Sequence, residues 1–418
     1  MNSGDTAWVL MSAALVLSMT VPALAFFYGG LVRRKNVLSV LVQCFAVTCL
    51  VSLQWMTFGY SLAFGPDLGG VGVIGTLDWA MLEGVGGAPN ASYAPTIPHA
   101  AFMAFQMMFA VITPALILGA FAERMRFAPF CAFALLWSTL VYDPVCHWVW
   151  SSGADGQMGW LKRLGALDFA GGIVVHVNAG AAALAAAIML GRRVGYPDRM
   201  SPPHNLPFAV LGAGLLWFGW FGFNAGSALG ANALAANAFV ATHAAAAIAG
   251  LAWAAIDAFW IGRPTALGTI TGCVAGLAAV TPACGYVGLQ GALAIGLGAT
   301  LAAYPAVVIL KARLGYDDAL DAFGVHGVAG VWGVLATGLF ATQAANPEGP
   351  NGLFRGGGAL VGAQAIATAA TFAFSFAATF VLLKAVDATL GLRAAESEER
   401  IGLDLTEHRE TGYTLLDG

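Results

Sequence analysis

Three long runs of this chain contain no charged residue: 200–256, 264–310 and 356–383. About 20 apolar residues carry a helix across a bilayer, so each of the first two runs must hold about two crossings. The whole sequence is 59% hydrophobic and 10% charged, whereas a soluble domain of this length carries about 25% charged residues. The runs and the composition together exclude a soluble globular protein and define an all-α polytopic membrane protein.

Segmenting the 418 residues by apolar runs and polar breaks predicts eleven spans. They lie near 7–32, 37–64, 99–121, 128–150, 169–190, 207–229, 233–261, 265–283, 287–310, 322–344 and 356–384. With the N-terminus outside, the inner loops hold Arg33, Arg34, Lys35, Arg124, Arg126, Arg192, Arg193, Arg199, Arg263, Lys311 and Arg313. The outer loops then hold only Lys162, Arg163 and Arg355. Basic residues favour cytoplasmic loops, so this bias fixes the expected orientation, with the charge-dense tail from about residue 391 inside. Ala23-Leu24-Ala25 resembles a cleavage site, but the start M-N-S-G-D lacks the basic region of a secretory signal, so the first helix is expected to be retained. The six cysteines lack metal-type spacing and read as small packing residues. A-G-A-A-A-L-A-A-A at 179–187 reads as a helix–helix contact face.

Two words repeat: D-F-A-G-G-I-V-V-H-V-N-A-G around Asp168 and His176, and D-A-L-D-A-F-G-V-H-G-V-A-G around Asp318 and His326. Ionisable groups at membrane depth are costly, so a matched pair marks a substrate path. Eight helical residues advance about 12 Å, which brings both histidines near the midplane of a roughly 30 Å core. They also rotate by about 80°, which argues against a direct Asp–His relay and for Asp168 as an N-cap. The words fall in spans five and ten, and five crossings is an odd number. Two five-helix repeats (about 1–195 and 200–345) are therefore expected to be inverted, with an extra helix at 356–384. Two imidazoles do not complete a zinc site. His243 has no matching word and reads as a packing residue.

The second constellation is aromatic. W-F-G-W-F-G-F-N-A-G-S (217–227), H-W-V-W (147–150) and Q-M-M-F-A-V-I-T-P (106–114) fall in spans six, four and three. Interface belts account for Trp148, Trp217 and Trp220. Phe223 and Ser227 share a helix face. With Trp150 they offer π-faces and a hydroxyl to a small, weakly hydrated cation, with no carboxylate to trap it.

Together D-F-A-G-G-I-V-V-H-V-N-A-G, G-W-F-G-F-N-A-G-S, D-A-F-G-V-H-G-V-A-G and A-E-R-M-R-F resemble the ammonium transporter (Amt/Mep/Rh) family over essentially the whole chain. The resemblance implies eleven helices, a homotrimer with one pore per protomer, and a transmembrane domain at 1–390 with a cytoplasmic tail at 391–418. It implies recruitment of ammonium at Trp150, Phe109 and Ser227, a gate of Phe109 and Phe223, and a pore lined by His176 and His326. Asp168 matches the structural acidic residue, and Asp318 is its counterpart in the second word. Trp150 points to the Amt branch. The stretch between Trp150 and Asp168, which includes S-S-G-A-D-G-Q-M-G-W-L-K-R, is longer than the usual pattern. The tail resembles the segment through which PII-type regulators act on relatives, with Arg409 where glycine is usual. No cofactor, metal or nucleic-acid partner is expected, and the site is the cell membrane. A neutral-gas or urea-like channel and an ammonium sensor are the rival readings, while no nucleophile–base set supports an enzyme.

Overall fold

The computed structural model describes residues 1–153, 157–198 and 202–413. Arg199, counted among the inner charges, lies outside the described residues, as do positions 154–156 of the long outer stretch and 414–418 of the tail. Among the described residues ten helices are long and apolar enough to span a bilayer. They are α1 (Ser3–Leu31), α2 (Arg34–Phe64), α3 (His99–Phe121), α4 (Phe127–Trp150), α5 (Gly172–Leu190), α6 (Leu206–Gly226), α7 (Ala233–Trp260), α9 (Leu289–Leu314), α10 (Phe323–Phe340) and α11 (Ala359–Leu390). Between α7 and α9 lies α8, Ala266–Val280, apolar but only 15 residues long. That is about 22 Å, short of a full crossing. Its early end against the expected 265–283 follows from Pro282, which cannot donate to a helical ladder. With α8 the helices match the eleven predicted spans.

Asparagine and threonine caps fix several helix starts. The side chain of Asn2 accepts from Gly4 and Asp5 N–H, Asn205 from Phe208, Asn232 from Ala235 and Thr265 from Gly268. Each satisfies a donor that the helix itself leaves unpaired. The first span is less regular than its sequence suggests. Val21 takes φ −134° and ψ 115°, dividing α1 into Ser3–Ser18 and Ala25–Leu31 beside Pro22. The loop between α2 and α3 carries a small antiparallel pair, β1 (Pro89–Asn90) and β2 (Ala94–Pro98).

The centre of the bundle is the crossing of α5 and α10. A Cβ at Gly180 of α5 would overlap the Cα of Gly327 in α10, so glycine lets the two backbones meet. Alanines 179, 181–183 and 185–187 are all buried, as the contact-face reading requires. The extra helix α11 fastens this crossing. Ser375 Oγ donates to Asn178 O, and Gln364 Nε2 donates to the carbonyls of Leu167 and Val334. Both repeated words adopt π-helical turns, Gly172–Val177 and Phe323–Val328, and each turn carries its histidine. Such widened turns recur at functional sites because they re-aim side chains.

Candidate functional site: a narrow lumen with two vestibules

The vestibule on the face that the basic residues assign to the outside forms where the ends of α4 and α6 meet the middle of α3. Trp150 closes α4 and donates from Nε1 to the carbonyl of Asp168 at 2.8 Å. Its ring meets Phe109 of α3 edge-on at 5.8 Å. Ser227 follows α6, and its Oγ donates to the Phe223 carbonyl at 2.8 Å. Trp150, Ser227, Asp168, Gln106, Tyr93 and Lys162 line a cavity of about 280 Å³. Beneath it Phe109 and Phe223 stack at 4.2 Å, both almost fully buried.

Past the stacked rings, His176 lies 6.1 Å from Phe223 and 5.5 Å from Trp220. The imidazoles of His176 and His326 follow each other at 5.3 Å with ring planes 10° apart. The space around them is only about 10 Å³, walled by Met19, Leu24, Ile112, Val175 and Leu216. That is room for about one water molecule. Both nitrogens of His176 and Nδ1 of His326 bond to no group among the described residues. Trp220 Nε1 is held aside by Thr281 Oγ1 at 2.9 Å. Below His326 an inner vestibule of about 140 Å³ opens, lined by Tyr28, Thr271, Asp321 and Arg193.

The two aspartates do not reach the histidines. Asp168 accepts from the N–H groups of Gly171, Gly172, Ile173 and Val174 at 2.6–3.0 Å. Gly171 sits at φ +113°, which glycine alone adopts readily, and lets the chain fold back over the carboxylate. Asp318 accepts from Ala322 and Phe323 N–H at 3.0 and 2.8 Å. Asp321 pairs with Lys311. His243 packs against the rings of Trp217 and Phe221, on the outward face of α7. It is exposed on the protomer surface, 5.2 Å from the Trp217 ring, and lies away from the lumen. A histidine flanked by alanines in an apolar run gives no sign of which helix face it occupies.

Gln106 and Lys162 were not singled out by sequence reading, yet both line the outer vestibule. Gln106 precedes Phe109 by three residues, one helical turn, and its Oε1 is buried without a partner. Lys162 is one of three outer cations, and its Nζ donates to Ser152 Oγ and to the Trp150 carbonyl. A larger cavity, about 410 Å³, lies beside the vestibule against Asp67 and His147. No gate or pore residue lines it, and His147 is occupied by Asp67 (3.0 Å) and the Ala63 carbonyl (3.0 Å).

The inner ends of the helices are joined by a buried ion cluster. Arg193 binds Asp317 through Nε and Nη2 at 2.8 Å and Glu123 through Nη1 at 2.9 Å. Glu123 also accepts from Arg33 and Asn36. Burial pushes both carboxyls up, but Arg193 with Arg33 holds Glu123 below its ordinary value, and Arg193 with Arg124 does the same for Asp317. An acid depressed in the folded state stabilises above its unfolded pKa, about 4, and that stability is lost as pH falls through the folded value. The thermal advantage of wild type over Glu123→Gln should therefore be flat from pH 7 to 5 and shrink below about pH 4. An advantage that already fades between pH 7 and 6 would refute this assignment.

The tail packs on the same surface. Glu399 binds Arg393 and accepts from Val194 N–H, while Asp404 accepts from Ser39 N–H at 2.8 Å. An apolar helical bundle with a narrow lumen between two polar vestibules is the architecture of a membrane transport protein. The family model described as Ammonium Transporter Family matches residues 7–413. The ammonium transporter of Bacillus subtilis is 50% identical over 413 residues, covering 99% of each chain. Ammonium transporter Amt1 of Archaeoglobus fulgidus is 45% identical over 415 residues, 99% of this chain and 100% of its own. The crystal structure of Saccharomyces cerevisiae Mep2 superposes with a TM-score of 0.88 at 37% identity, covering 95% of this chain and 89% of the other. A structure described as a sensor Amt protein gives 0.88 at 32% identity, over 97% and 98%. The chain belongs to the ammonium transporter family, and its function is ammonium transport across a membrane.

Proposed function

We propose that the protein recruits the ammonium ion at Trp150, Phe109 and Ser227, strips its proton near the Phe109/Phe223 gate, and conducts ammonia past His176 and His326. The observation that supports this reading is the stacked gate above a lumen with room for about one water. A cation entering such a space loses its hydration and finds no carboxylate, a cost that neutral ammonia largely escapes. Burial therefore favours the neutral form of the permeant. The unpaired imidazole nitrogens offer ammonia hydrogen bonds inside an otherwise apolar passage. Potassium has no proton to surrender and should be rejected.

In the same reading the transmembrane unit comprises residues 1–390, with inverted repeats at about 1–195 and 200–345 and an added helix at 356–384. The matching π-helical turns of α5 and α10 support that symmetry. The protein works as a homotrimer in the cell membrane with its N-terminus outside, and has no enzymatic role. The tail, 391–418, is a cytoplasmic regulatory element open to a PII-type protein. Its contacts with the inner loops support that role.

The test is an ammonium pulse onto purified protein in liposomes, with membrane current and internal pH recorded together. Current that protein-free vesicles lack would mean that net charge crosses, with the histidine pair as the proton route. Internal alkalinisation without current would mean that ammonia alone crosses. Potassium currents as large as those of ammonium would sink the deprotonation account, and silence in both channels would favour an ammonium sensor.

A further inference from the structure

A positive side chain is an unexpected lining for a vestibule that gathers cations. Lys162, in the short helix Trp160–Arg163, is part of the same cavity wall as Trp150, Ser227 and Gln106. Its Nζ donates to the Trp150 carbonyl at 3.4 Å and to Ser152 Oγ, so the ammonium group is fastened at the rim and does not swing into solvent. Among the described residues, the titratable groups that share this cavity with Lys162 are Asp168, Tyr93 and Tyr286. Asp168 is held by four main-chain N–H donors. Tyr93 donates its hydroxyl to the Phe64 carbonyl and accepts from Ser152 N–H. None of them forms an ion pair with Lys162.

We infer that Lys162 is a positioning charge that weakens ammonium binding at the outer site and thereby favours release of ammonia into the pore. The inference rests on recruitment at Trp150. The bound ion feels the lysine charge, whereas ammonia does not. A unit charge at a separation on the order of 8 Å, through an effective dielectric of about 40, changes cation binding by about 3–10-fold, and Lys162 on the same cavity wall is expected to act within that range. With the proton returned to the water of the outer vestibule, the species crossing the gate is neutral ammonia, so the charge destabilises the bound ion and leaves that crossing unaffected. Ground-state destabilisation of this kind raises KM and kcat together and leaves kcat/KM nearly constant. Burial lowers the pKa of the Lys162 ammonium from lysine's ordinary value, so the charge itself weakens in alkaline medium.

The test measures initial ammonium uptake against concentration for the full chain in liposomes, at a pH where the ammonium ion dominates. Lys162→Met and Lys162→Gln should each lower KM and kcat by about the same 3–10-fold, with kcat/KM within about twofold of wild type. Lys162→Arg should resemble wild type. External potassium should inhibit uptake more strongly in the neutral variants by a matching factor, because the relieved repulsion acts on every monovalent cation. Glutamine can still donate to Ser152, so it reports on charge even where methionine disturbs the rim. An unchanged or higher KM in the glutamine variant would overturn the inference. Trp150→Leu separates the two claims. If it raises KM while Lys162→Gln does nothing, recruitment stands and the lysine role falls. If it leaves KM untouched, the recruitment reading itself fails.

Discussion

Replacing Arg193 by methionine is expected to cost about 3–5 kcal/mol of stability, because it strands a buried charge. Among the described residues, Arg193 supplies every hydrogen bond to the Asp317 side chain: two from the guanidinium and one from the main-chain N–H. That aspartate side chain is fully buried. Glu123 is better insured, since Arg33 and Asn36 remain on it. The penalty should therefore centre on Asp317. Arg193→Met with Asp317→Asn should recover much of the loss, since the second change removes the stranded charge. Arg193→Lys should fall between, because an ammonium cannot form the two-pronged contact. The readout is the thermal midpoint in mild detergent for the singles and the double. Additive losses in the double mutant, or a cost below about 1 kcal/mol for Arg193→Met, would show that solvent reaches the cluster.

That cluster also explains why the tail and the pore share one frame. Arg193 follows α5, Asp317 precedes α10, and these two helices carry His176 and His326. Glu123 follows α3, which carries Phe109, and Arg33 follows α1. Glu399 of the tail accepts from the residue after Arg193. A partner that pulled the tail away would break contacts with the same loops that hold the pore helices. Its effect would reach the lumen through their inner ends.

Much of this arrangement was legible in the sequence for definite reasons. Charge-free runs must be buried in lipid or protein whatever their order, so the spans within 200–256, 264–310 and 356–383 followed from those runs, and the remaining ones from the polar breaks between apolar segments. His176 and His326 stood out because an imidazole at that depth has few uses. Lys162 did not stand out, because a lysine in an outer loop has an ordinary place in water. Only the fold brings it back over Trp150, twelve residues earlier in the chain. The break at Val21 and the face taken by His243 were hidden likewise. Helical periodicity says little in a span whose outward face is as apolar as its inward one. The π-helical turns left no mark in composition either.

Asp168 gives the second large prediction, since its carboxylate does the work that water does at an exposed helix end. The first turn of a helix has four N–H groups with no internal partner, and lipid supplies no acceptor for them. Asp168 takes all of them, those of residues 171–174, and is itself only 8% exposed. Asp168→Ala should therefore cost about 4 kcal/mol or more, because each orphaned buried donor costs about 1–3 kcal/mol. Asn can accept with one oxygen, but its amide points donors at donors, so Asp168→Asn should be nearly as damaging. The Asp168 carbonyl also anchors the Trp150 indole at 2.8 Å. Any shift of this segment moves the outer aromatic site, so ammonium uptake should fall in step with the thermal midpoint across Asp, Asn and Ala. A carboxylate acting instead as a direct cation ligand would give another pattern: Asn would lose transport while keeping the midpoint. Measuring both quantities on the two variants decides between a helix cap and a binding group, and four short N–H contacts on one buried carboxylate favour the cap.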